Sequence, residues 1–281
     1  MRVLYLGDVV GTPGRLAIEA GLPPLRAKYK ADLAVVNAEN AANGTGLTPE
    51  QYNKLRDAGA DGITLGDHCF KKQQIAATLN RPGEKLIRPA NLPAAAAGRG
   101  AMALTPNEGN GPTVTVIVVM GRLFMPLPAG DPFETVEAIL AETPDDHAVI
   151  LEVHAEATSE KVALGWRFNG RVAAVLGTHT HVPTADHRIL PAGVPGSHQG
   201  VAGTAYISDL GMSGPIDSVL GRRVDRVLKH MTTAMPSPFD VADGPAVVSG
   251  VMLTLDPRSG RATAIEPVRH TVVDGKLKPA W

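Results

Sequence analysis

The chain of 281 residues contains a single cysteine, Cys69, and only 4% aromatic residues. One cysteine excludes an internal disulfide and a zinc site built from several thiolates, and it is typical of a protein from a reducing cytoplasm. The scarcity of aromatic residues argues against a stacking platform for single-stranded nucleic acid. The net charge is −1 and basic residues never form a long run, so general electrostatic binding of nucleic acid is excluded as well. Any phosphate ligand must therefore be bound at a local site.

Long hydrophobic runs are also missing. The apolar stretch at the N-terminus stops at Asp8, which is too early for a signal peptide, and no window approaches the length of a membrane span. Apolar residues nevertheless make up 44% of the chain, enough for a sizeable core. We therefore expect a cytoplasmic protein without membrane contacts, folded as one domain over residues 1–281.

Short apolar runs alternate with helical segments in the first half of the chain, as they do in parallel α/β sheets. A helix should begin near Thr12, and the pair Pro23 and Pro24 should break it. The C-terminal part adds two long apolar runs joined by a turn, which predicts an antiparallel hairpin. The sequence thus predicts a mixed α/β fold, with an exposed Gly/Pro/Ser-rich loop at Ala192–Ala202.

Two histidines, His179 and His181, follow the apolar run Val172–Leu176. Alternate side chains of an extended chain point to the same face, so both imidazoles are predicted to converge on one point beyond the strand. Imidazole is the commonest side-chain metal ligand. This pair therefore indicates a candidate metal site.

Four other apolar runs also end in potential ligands, which are Asp8, Glu39, Asp67 with His68, and His154. In α/β sheets, ligands gather at the carboxyl ends of the strands. Carboxylates and imidazoles without thiolate suit iron, manganese or zinc better than calcium. The candidates are too numerous for one tetrahedral site, which favours two ions that share a bridging carboxylate.

With these motifs in hand, the sequence resembles the YmdB-like branch of the calcineurin-like metallophosphoesterases, bacterial phosphodiesterases that act on cyclic nucleotides. The resemblance covers nearly the whole chain. It is carried, in order, by Gly7-Asp8-Val9-Val10-Gly11, Asn37-Ala38-Glu39-Asn40-Ala41-Ala42, Gly66-Asp67-His68, Arg88-Pro89-Ala90-Asn91, His154-Ala155-Glu156-Ala157-Thr158-Ser159-Glu160-Lys161, Gly177-Thr178-His179-Thr180-His181 and Gly211-Met212-Ser213-Gly214-Pro215. It implies a four-layer α/β/β/α sandwich of two mixed sheets, with two metal ions at its edge.

The resemblance also implies a role for each ligand. Asp8 and His181 would hold the first ion, with Asn40 as a further candidate ligand beside them, and Glu39 would bridge the two ions. Iron or manganese is the expected metal, and zinc or magnesium would also fit.

Asp67, His154 and His179 would hold the second ion by the same resemblance. His68 would lie outside the ligand shell and face the phosphate. The family usually has asparagine at the position of Asp67, so this chain adds a negative charge there. That charge should tighten the binding of a hard cation while reducing its Lewis acidity.

The function implied is hydrolysis of 2′,3′-cyclic nucleotides. A hydroxide activated by the two metals would attack phosphorus, His68 would protonate the leaving oxygen as general acid, and Asn40 would hold a phosphate oxygen. The expected partner is a small phosphodiester rather than a stable nucleic-acid complex, and the resemblance suggests a homo-oligomer.

Two other interpretations of the sequence compete with this one. The loop Gly7–Gly14 could cradle a dinucleotide, although its spacing departs from the usual fingerprint and Asp8 would repel a pyrophosphate. Alternatively, the protein could be a metal-bound nucleotide sensor whose catalysis has been weakened by Asp67. Loss of turnover together with tight nucleotide binding would favour the sensor.

Overall fold

The computed structural model describes residues 1–106, 111–196, 203–273 and 276–279. Within these ranges the helices are α1 (Gly11–Tyr29), α2 (Pro49–Asp57), α3 (Ile75–Asn80), α4 (Pro132–Glu142), α5 (Thr158–Phe168) and α6 (Val224–Thr233). The strands are β1 (Arg2–Leu6), β2 (Leu33–Asn37), β3 (Gly62–Thr64), β4 (Leu86–Ile87), β5 (Ala101–Leu104), β6 (Val114–Met120), β7 (Ala148–His154), β8 (Ala174–Thr178), β9 (Arg188–Ile189), β10 (Ala205–Ile207), β11 (Gly214–Pro215), β12 (Ala246–Leu255), β13 (Ala262–Val273) and β14 (Lys276–Pro279).

The strands form two mixed sheets. In the first sheet the order is β14-β13-β12-β1-β2-β3-β4, with β11 paired to β12. The strands from β1 to β4 run parallel, whereas β12 pairs antiparallel with both β1 and β13, as the predicted hairpin requires. The order in the second sheet is β5-β6-β7-β8-β10-β9, with β6, β7, β8 and β10 parallel.

The alternation of side chains along β1 separates two layers of the core. Leu4 and Leu6 pack with Ile18 and Leu22 of α1 on one side of the first sheet. Val3 and Tyr5 lie on the opposite side, among residues of the second sheet.

The second sheet also has one face packed against helices and the other face packed against the first sheet. Leu151 and Val153 of β7 pack with Leu164 and Phe168 of α5, while Ile150 faces the first sheet. Helices thus cover the outer face of each sheet, and the predicted four-layer α/β/β/α fold is confirmed.

The start of α2 is closed by a capping box between Thr48 and Gln51. The Thr48 hydroxyl accepts from the backbone N–H of Gln51 at 3.2 Å, and the Gln51 side chain accepts from the backbone N–H of Thr48 at 3.2 Å. By contrast, the prediction that Pro23 and Pro24 break the first helix is wrong, because α1 runs through both. Proline removes a helical hydrogen bond, but the apolar face of α1 is fully buried and holds the helix together.

Some elements were not predicted from the sequence, chiefly β5 and α6. Between the second histidine of the pair and the Gly/Pro/Ser-rich loop, the chain forms a strand only at Arg188–Ile189. The predicted loop Ala192–Ala202 lies partly outside the described residues. Among the residues that are described, no helix combines the length and the apolar character needed to cross a bilayer.

Candidate metal centre

The predicted ligands meet at one edge of the sandwich because their strands end there. Asp8, Glu39 and Asp67 follow the parallel neighbours β1, β2 and β3, while His154 ends β7 and His179 follows β8. The structure thus brings together side chains that are up to 173 positions apart in the sequence, from Asp8 to His181. This convergence is what the strand-end argument predicted.

Four of these side chains surround a common point. The ligand atoms of Glu39, Asp67, His154 and His179 all lie within 4.8 Å of one another. His154 Nε2 is 3.0 Å from Asp67 Oδ1, 3.2 Å from Glu39 Oε2 and 3.1 Å from His179 Nδ1. Two carboxylates and two imidazoles converging in this way form a donor set suited to a transition-metal ion.

A second group adjoins the first and shares Glu39 with it. The ligand atoms of Asp8, Glu39 and His181 also lie within 4.8 Å of one another. Asn40 stands beside this group, with its Nδ2 donating to Glu39 Oε1 at 2.9 Å and lying 3.1 Å from His181 Nε2. A carboxylate common to both groups is the feature that a bridged pair of ions requires.

His68 is oriented by the side chain of Asn40. Its Nδ1 lies 2.7 Å from Asn40 Oδ1, and its Nε2 lies 3.5 Å from Asp67 Oδ2. The backbone N–H of His68 also donates to Glu39 Oε2 at 3.3 Å. The ring lines the cavity in front of the two groups rather than joining either of them.

Burial and crowding shift the ionisation of the carboxylates. Burial raises the pKa of Asp8 to about 8. The positive charge of His154 lowers this pKa, whereas the negative charge of Glu39 contributes to raising it. Burial alone would also raise the pKa of Asp67, but hydrogen bonds from His154 and His179 hold it well below the usual value.

The imidazoles are shifted in opposite directions. Burial disfavours the charged form of His154, yet the neighbouring carboxylates of Glu39 and Asp67 keep its pKa well above the ordinary value. Burial lowers the pKa of His181, which keeps its ring neutral. Without a cation, the protons held by Asp8 and His154 therefore reduce the repulsion among the clustered carboxylates.

Two observations show that a metal ion fits here. Asp8 Oδ1 is buried and has no hydrogen-bond partner among the described residues, so a strong acceptor is left for a cation. Gly66 lies beside the first group, and a Cβ atom there would clash with His154 and Glu39. The backbone thus leaves room for the ligands, and Asp8 keeps an oxygen available for a cation.

The two histidines do not converge in the way that the sequence predicted. β8 ends at Thr178, and His179 and His181 have positive φ angles of 94° and 68°. They lie on a tight turn rather than an extended strand, and each joins a different group of ligands. The prediction of a shared point is wrong, because the alternation of a strand stops where the turn begins.

Asp209 and Lys161 hold this turn in place. The Asp209 carboxylate accepts from Thr180 N at 3.1 Å, from Thr180 Oγ1 at 2.7 Å and from Gly211 N at 2.8 Å. Lys161 Nζ, which is also buried, lies 2.9 Å from Asp209 Oδ2. The charge pair is thus fully enclosed, and its hydrogen bonds fix the backbone between the two histidines.

A second polar network lies in the layer between the sheets, behind the ligands. Glu152 is fully buried and accepts from Tyr5 at 2.5 Å, from Asn37 at 2.6 Å and from Thr178 at 2.9 Å. Asn37 Oδ1 in turn accepts from the backbone N–H of Glu39 at 3.0 Å. The network therefore connects the β7 strand to the backbone of the shared ligand.

The glycines after β1 have a structural explanation. A Cβ atom at Gly7 would clash with the carbonyl of Gly211, and one at Gly14 would clash with the carbonyl of Ser213. The space above these glycines is occupied by the segment that follows β10. The spacing that suggested a dinucleotide loop therefore reflects close packing of the chain against itself.

Sequence reasoning missed Glu152, Asp209 and the role of Lys161. A signal was present for two of them. Glu152 is a charged residue within an otherwise apolar strand, and Asp209 follows the apolar strand β10 just as the predicted ligands follow theirs. No local pattern reveals the ionic partner of Lys161, which lies 48 residues further along the chain.

The two mixed sheets, their outer helices and the cluster at their shared edge define the architecture of the calcineurin-like metallophosphoesterases, as the resemblance implied. A family model described as YmdB-like protein matches residues 4–268. The chain therefore belongs to the YmdB-like family.

Relatives match along nearly their whole length. A 2′,3′-cyclic-nucleotide 2′-phosphodiesterase of Bacillus subtilis (strain 168) is 43% identical over 269 residues, which cover 95% of this chain and 96% of that protein. A solved structure of a hypothetical protein from Thermus thermophilus has a TM-score of 0.85 at 40% identity, covering 99% of this chain and 100% of that one. The structure of a novel phosphatase from Mycoplasma pneumoniae has a TM-score of 0.85 at 33% identity, covering 96% of this chain and 93% of that one.

Proposed function

We propose that this protein is a metal-dependent phosphodiesterase that hydrolyses 2′,3′-cyclic nucleotides at a centre of two metal ions. The observation that carries the proposal is the pair of ligand groups that share Glu39. These groups open into a cavity that His68 also lines. The similarity to a 2′,3′-cyclic-nucleotide 2′-phosphodiesterase supports the choice of substrate.

Asp8, Glu39 and His181 would hold one ion, with Asn40 beside it. Glu39 would also contribute to the other ion, whose remaining ligands are Asp67, His154 and His179. Such ions neutralise the phosphodiester and lower the pKa of a water molecule between them. Manganese or iron suits this mixture of carboxylates and imidazoles, and zinc or magnesium is the alternative.

His68 is placed to act as the general acid. Donation from its Nδ1 to Asn40 Oδ1 fixes the ring and leaves Nε2 as the atom that can give up a proton. During hydrolysis a hydroxide adds to phosphorus, the bond from phosphorus to the ribose 2′ oxygen breaks, and His68 protonates that oxygen. The product is a nucleoside 3′-monophosphate.

Asn40 has a second role as an orienting group. Its amide is already directed by the Glu39 carboxylate on one side and the His68 ring on the other. The side chain lines the cavity, and the N–H group that now faces His181 Nε2 at 3.1 Å would be released toward a phosphate oxygen once that nitrogen binds an ion. An uncharged donor held in this way stabilises negative charge as it develops on the phosphoryl group.

The test combines metal analysis with an assay. Purified protein loaded with Mn²⁺, Fe²⁺, Zn²⁺ or Mg²⁺ should bind about two ions and hydrolyse 2′,3′-cyclic AMP. Glu39→Gln should abolish turnover and lower the stoichiometry, because it removes charge from both groups. Glu50→Gln, on the surface of α2, is the matched control and should change neither measurement. Full turnover in Glu39→Gln, or no turnover in protein with both ions bound, would refute the proposal.

The composition and the resemblance together suggest the cellular setting. We expect the protein to act in the cytoplasm, as a homo-oligomer, on a small phosphodiester and without a stable nucleic-acid complex. Light scattering measures the solution mass. Measuring the hydrolysis of 2′,3′-cyclic AMP in the presence of a long single-stranded RNA shows whether the polymer binds and inhibits turnover.

A further inference from the structure

The cavity in front of the candidate metal centre has two chemically different ends. Its volume is about 370 Å³, which is within the range of roughly 300–1,000 Å³ typical of small-molecule sites. The polar end is formed by the ligands together with His68 and Asn40. The opposite end, here called the apolar wall, is formed by Val219, Leu220, Val227, Met231 and Phe239.

The apolar wall is fixed relative to the ligands. His181 Nδ1 lies 3.1 Å from the carbonyl oxygen of Leu220, so one imidazole contacts both ends of the cavity. The Arg222 guanidinium donates to the carbonyl of Gly44 at 2.6 Å and to that of Phe239 at 3.0 Å. These hydrogen bonds connect the segment that carries Phe239 to the loop after β2, from which Glu39 and Asn40 extend.

Large apolar side chains on this wall remain in contact with solvent. Met231 is 71% exposed, Leu220 48% and Phe239 44%. The ring of Phe239 packs edge to face against His230, with centroids 5.4 Å apart. An apolar, flat occupant would bury this surface, and an aromatic ring with a fixed orientation is suited to stacking.

On the basis of the proposed function, we propose that the apolar wall binds the nucleobase of the cyclic nucleotide. The phosphate lies at the polar end, so a nucleoside attached to it extends along the cavity toward Met231 and Phe239. The Arg222 side chain, which connects the segments of the wall, already donates to backbone carbonyls and is not free to bind the edge of a base. The wall therefore contacts the base without reading its edge, and the enzyme accepts all four bases.

The experiment compares substrates with and without a base. Turnover of 2′,3′-cyclic AMP, CMP, GMP and UMP is measured beside that of methyl riboside 2,3-cyclic phosphate, which has no base. The metal-loaded wild type should show similar kcat/KM values for the four nucleotides and a clearly lower value for the baseless ester. Met231→Ala and Phe239→Ala should each lower kcat/KM for nucleotides by at least about fivefold, mainly through KM, as the loss of one base contact does. Their effect on the baseless ester should be much smaller.

Leu228→Ala is the matched control, because Leu228 lies on the same helix and is 51% exposed but does not line the cavity. Equal losses for nucleotides and the baseless ester, or a change in solution mass for Met231→Ala, would overturn the inference. The second result would show that the wall contacts another copy of the chain. Calorimetric titration with adenosine 3′-monophosphate and with inorganic phosphate compares a ligand that has a base with one that has none, and it requires no turnover. Failure of the inference therefore remains distinguishable from failure of the proposed function. Adenosine 3′-monophosphate that binds no more tightly than phosphate would refute the base site even in an inactive protein.

Discussion

The carboxylate of Glu152 reaches the imidazole of His154 through a single hydroxyl group. Both residues lie on the same face of β7, two positions apart, in the layer between the sheets. Thr178 on the neighbouring strand donates to Glu152 at 2.9 Å, and its oxygen lies 2.9 Å from His154 Nδ1. The hydroxyl has one hydrogen, which goes to Glu152, so His154 Nδ1 carries a hydrogen and Nε2 faces the candidate metal position.

Thr178→Val is therefore expected to weaken metal binding without unfolding the protein. It removes the acceptor that fixes the His154 ring, and losses of this kind typically lower metal affinity about 10- to 100-fold. Competition with a chelator measures the affinity. Thr115→Val is the control, because the Thr115 hydroxyl also contacts a histidine, His147, at 2.8 Å in the same sheet but far from the ligands. Equal effects of both substitutions would contradict the role given to Thr178.

Replacing His68 by alanine should reduce kcat for 2′,3′-cyclic AMP about 10²- to 10⁴-fold while both ions stay bound. The reason is that His68 contacts Asn40 and Asp67 but belongs to neither ligand group. The assay is repeated with bis(p-nitrophenyl) phosphate, whose leaving group needs no proton. The substitution should lower kcat for this substrate much less. A parallel fall in activity on both substrates, accompanied by loss of metal, would instead identify His68 as a ligand.

Asp67→Asn should loosen the metal and increase the rate. The pKa of Asp67 lies well below its usual value because His154 and His179 donate to it, so the carboxylate is charged throughout the working pH range. Its replacement removes one full negative charge from the group and leaves more Lewis acidity for the substrate. We expect a roughly tenfold weaker affinity for the metal, which corresponds to about 1.4 kcal/mol of binding free energy. We also expect a several-fold higher kcat. A wild type that binds nucleotide without turnover and an active Asp67→Asn variant would establish the sensor alternative.

Metal affinity should rise with pH, and the contribution of Asp8 to this rise should end near pH 8. Burial raises the pKa of Asp8 to about 8, so the metal-free protein keeps this carboxyl protonated at neutral pH. A cation needs the carboxylate and must displace the proton, which costs up to tenfold in affinity per pH unit below that pKa and nothing above it. Calorimetry at pH 7 in buffers of different ionisation enthalpy counts the protons released. Asp8→Asn should remove this one proton from the count, and an unchanged count would show that Asp8 is already ionised.

Much of the site could be predicted because it follows from how strands end. Asp8, Glu39 and Asp67 each follow an apolar run, and parallel strands place such residues at one edge. The resemblance then supplied the partition into two groups. The turn at His179 could not be predicted, since nothing local indicates that a histidine will adopt a φ of 94°.

Two of the remaining failures have a common cause, which is dependence on distant contacts. Pro23 and Pro24 disfavour a helix locally, but the burial of one face of α1 outweighs this low helix propensity. The ion pair of Lys161 with Asp209 joins two loops of the second sheet, and no spacing in the sequence shows it. Helix α6 was missed although its sequence carried a signal, because Val224, Val227, Leu228 and Met231 recur at helical spacing.

The enclosed pair of Lys161 and Asp209 has a consequence for how ions enter the protein. Because Asp209 restrains Thr180 through both its backbone and its hydroxyl, the shape of the turn is determined during folding. If the proposed centre is correct, incoming cations would find the imidazoles of His179 and His181 already in position and would not have to order a flexible segment. Loading should proceed quickly and leave the backbone unchanged, so that the empty and filled forms of the enzyme superimpose at this turn.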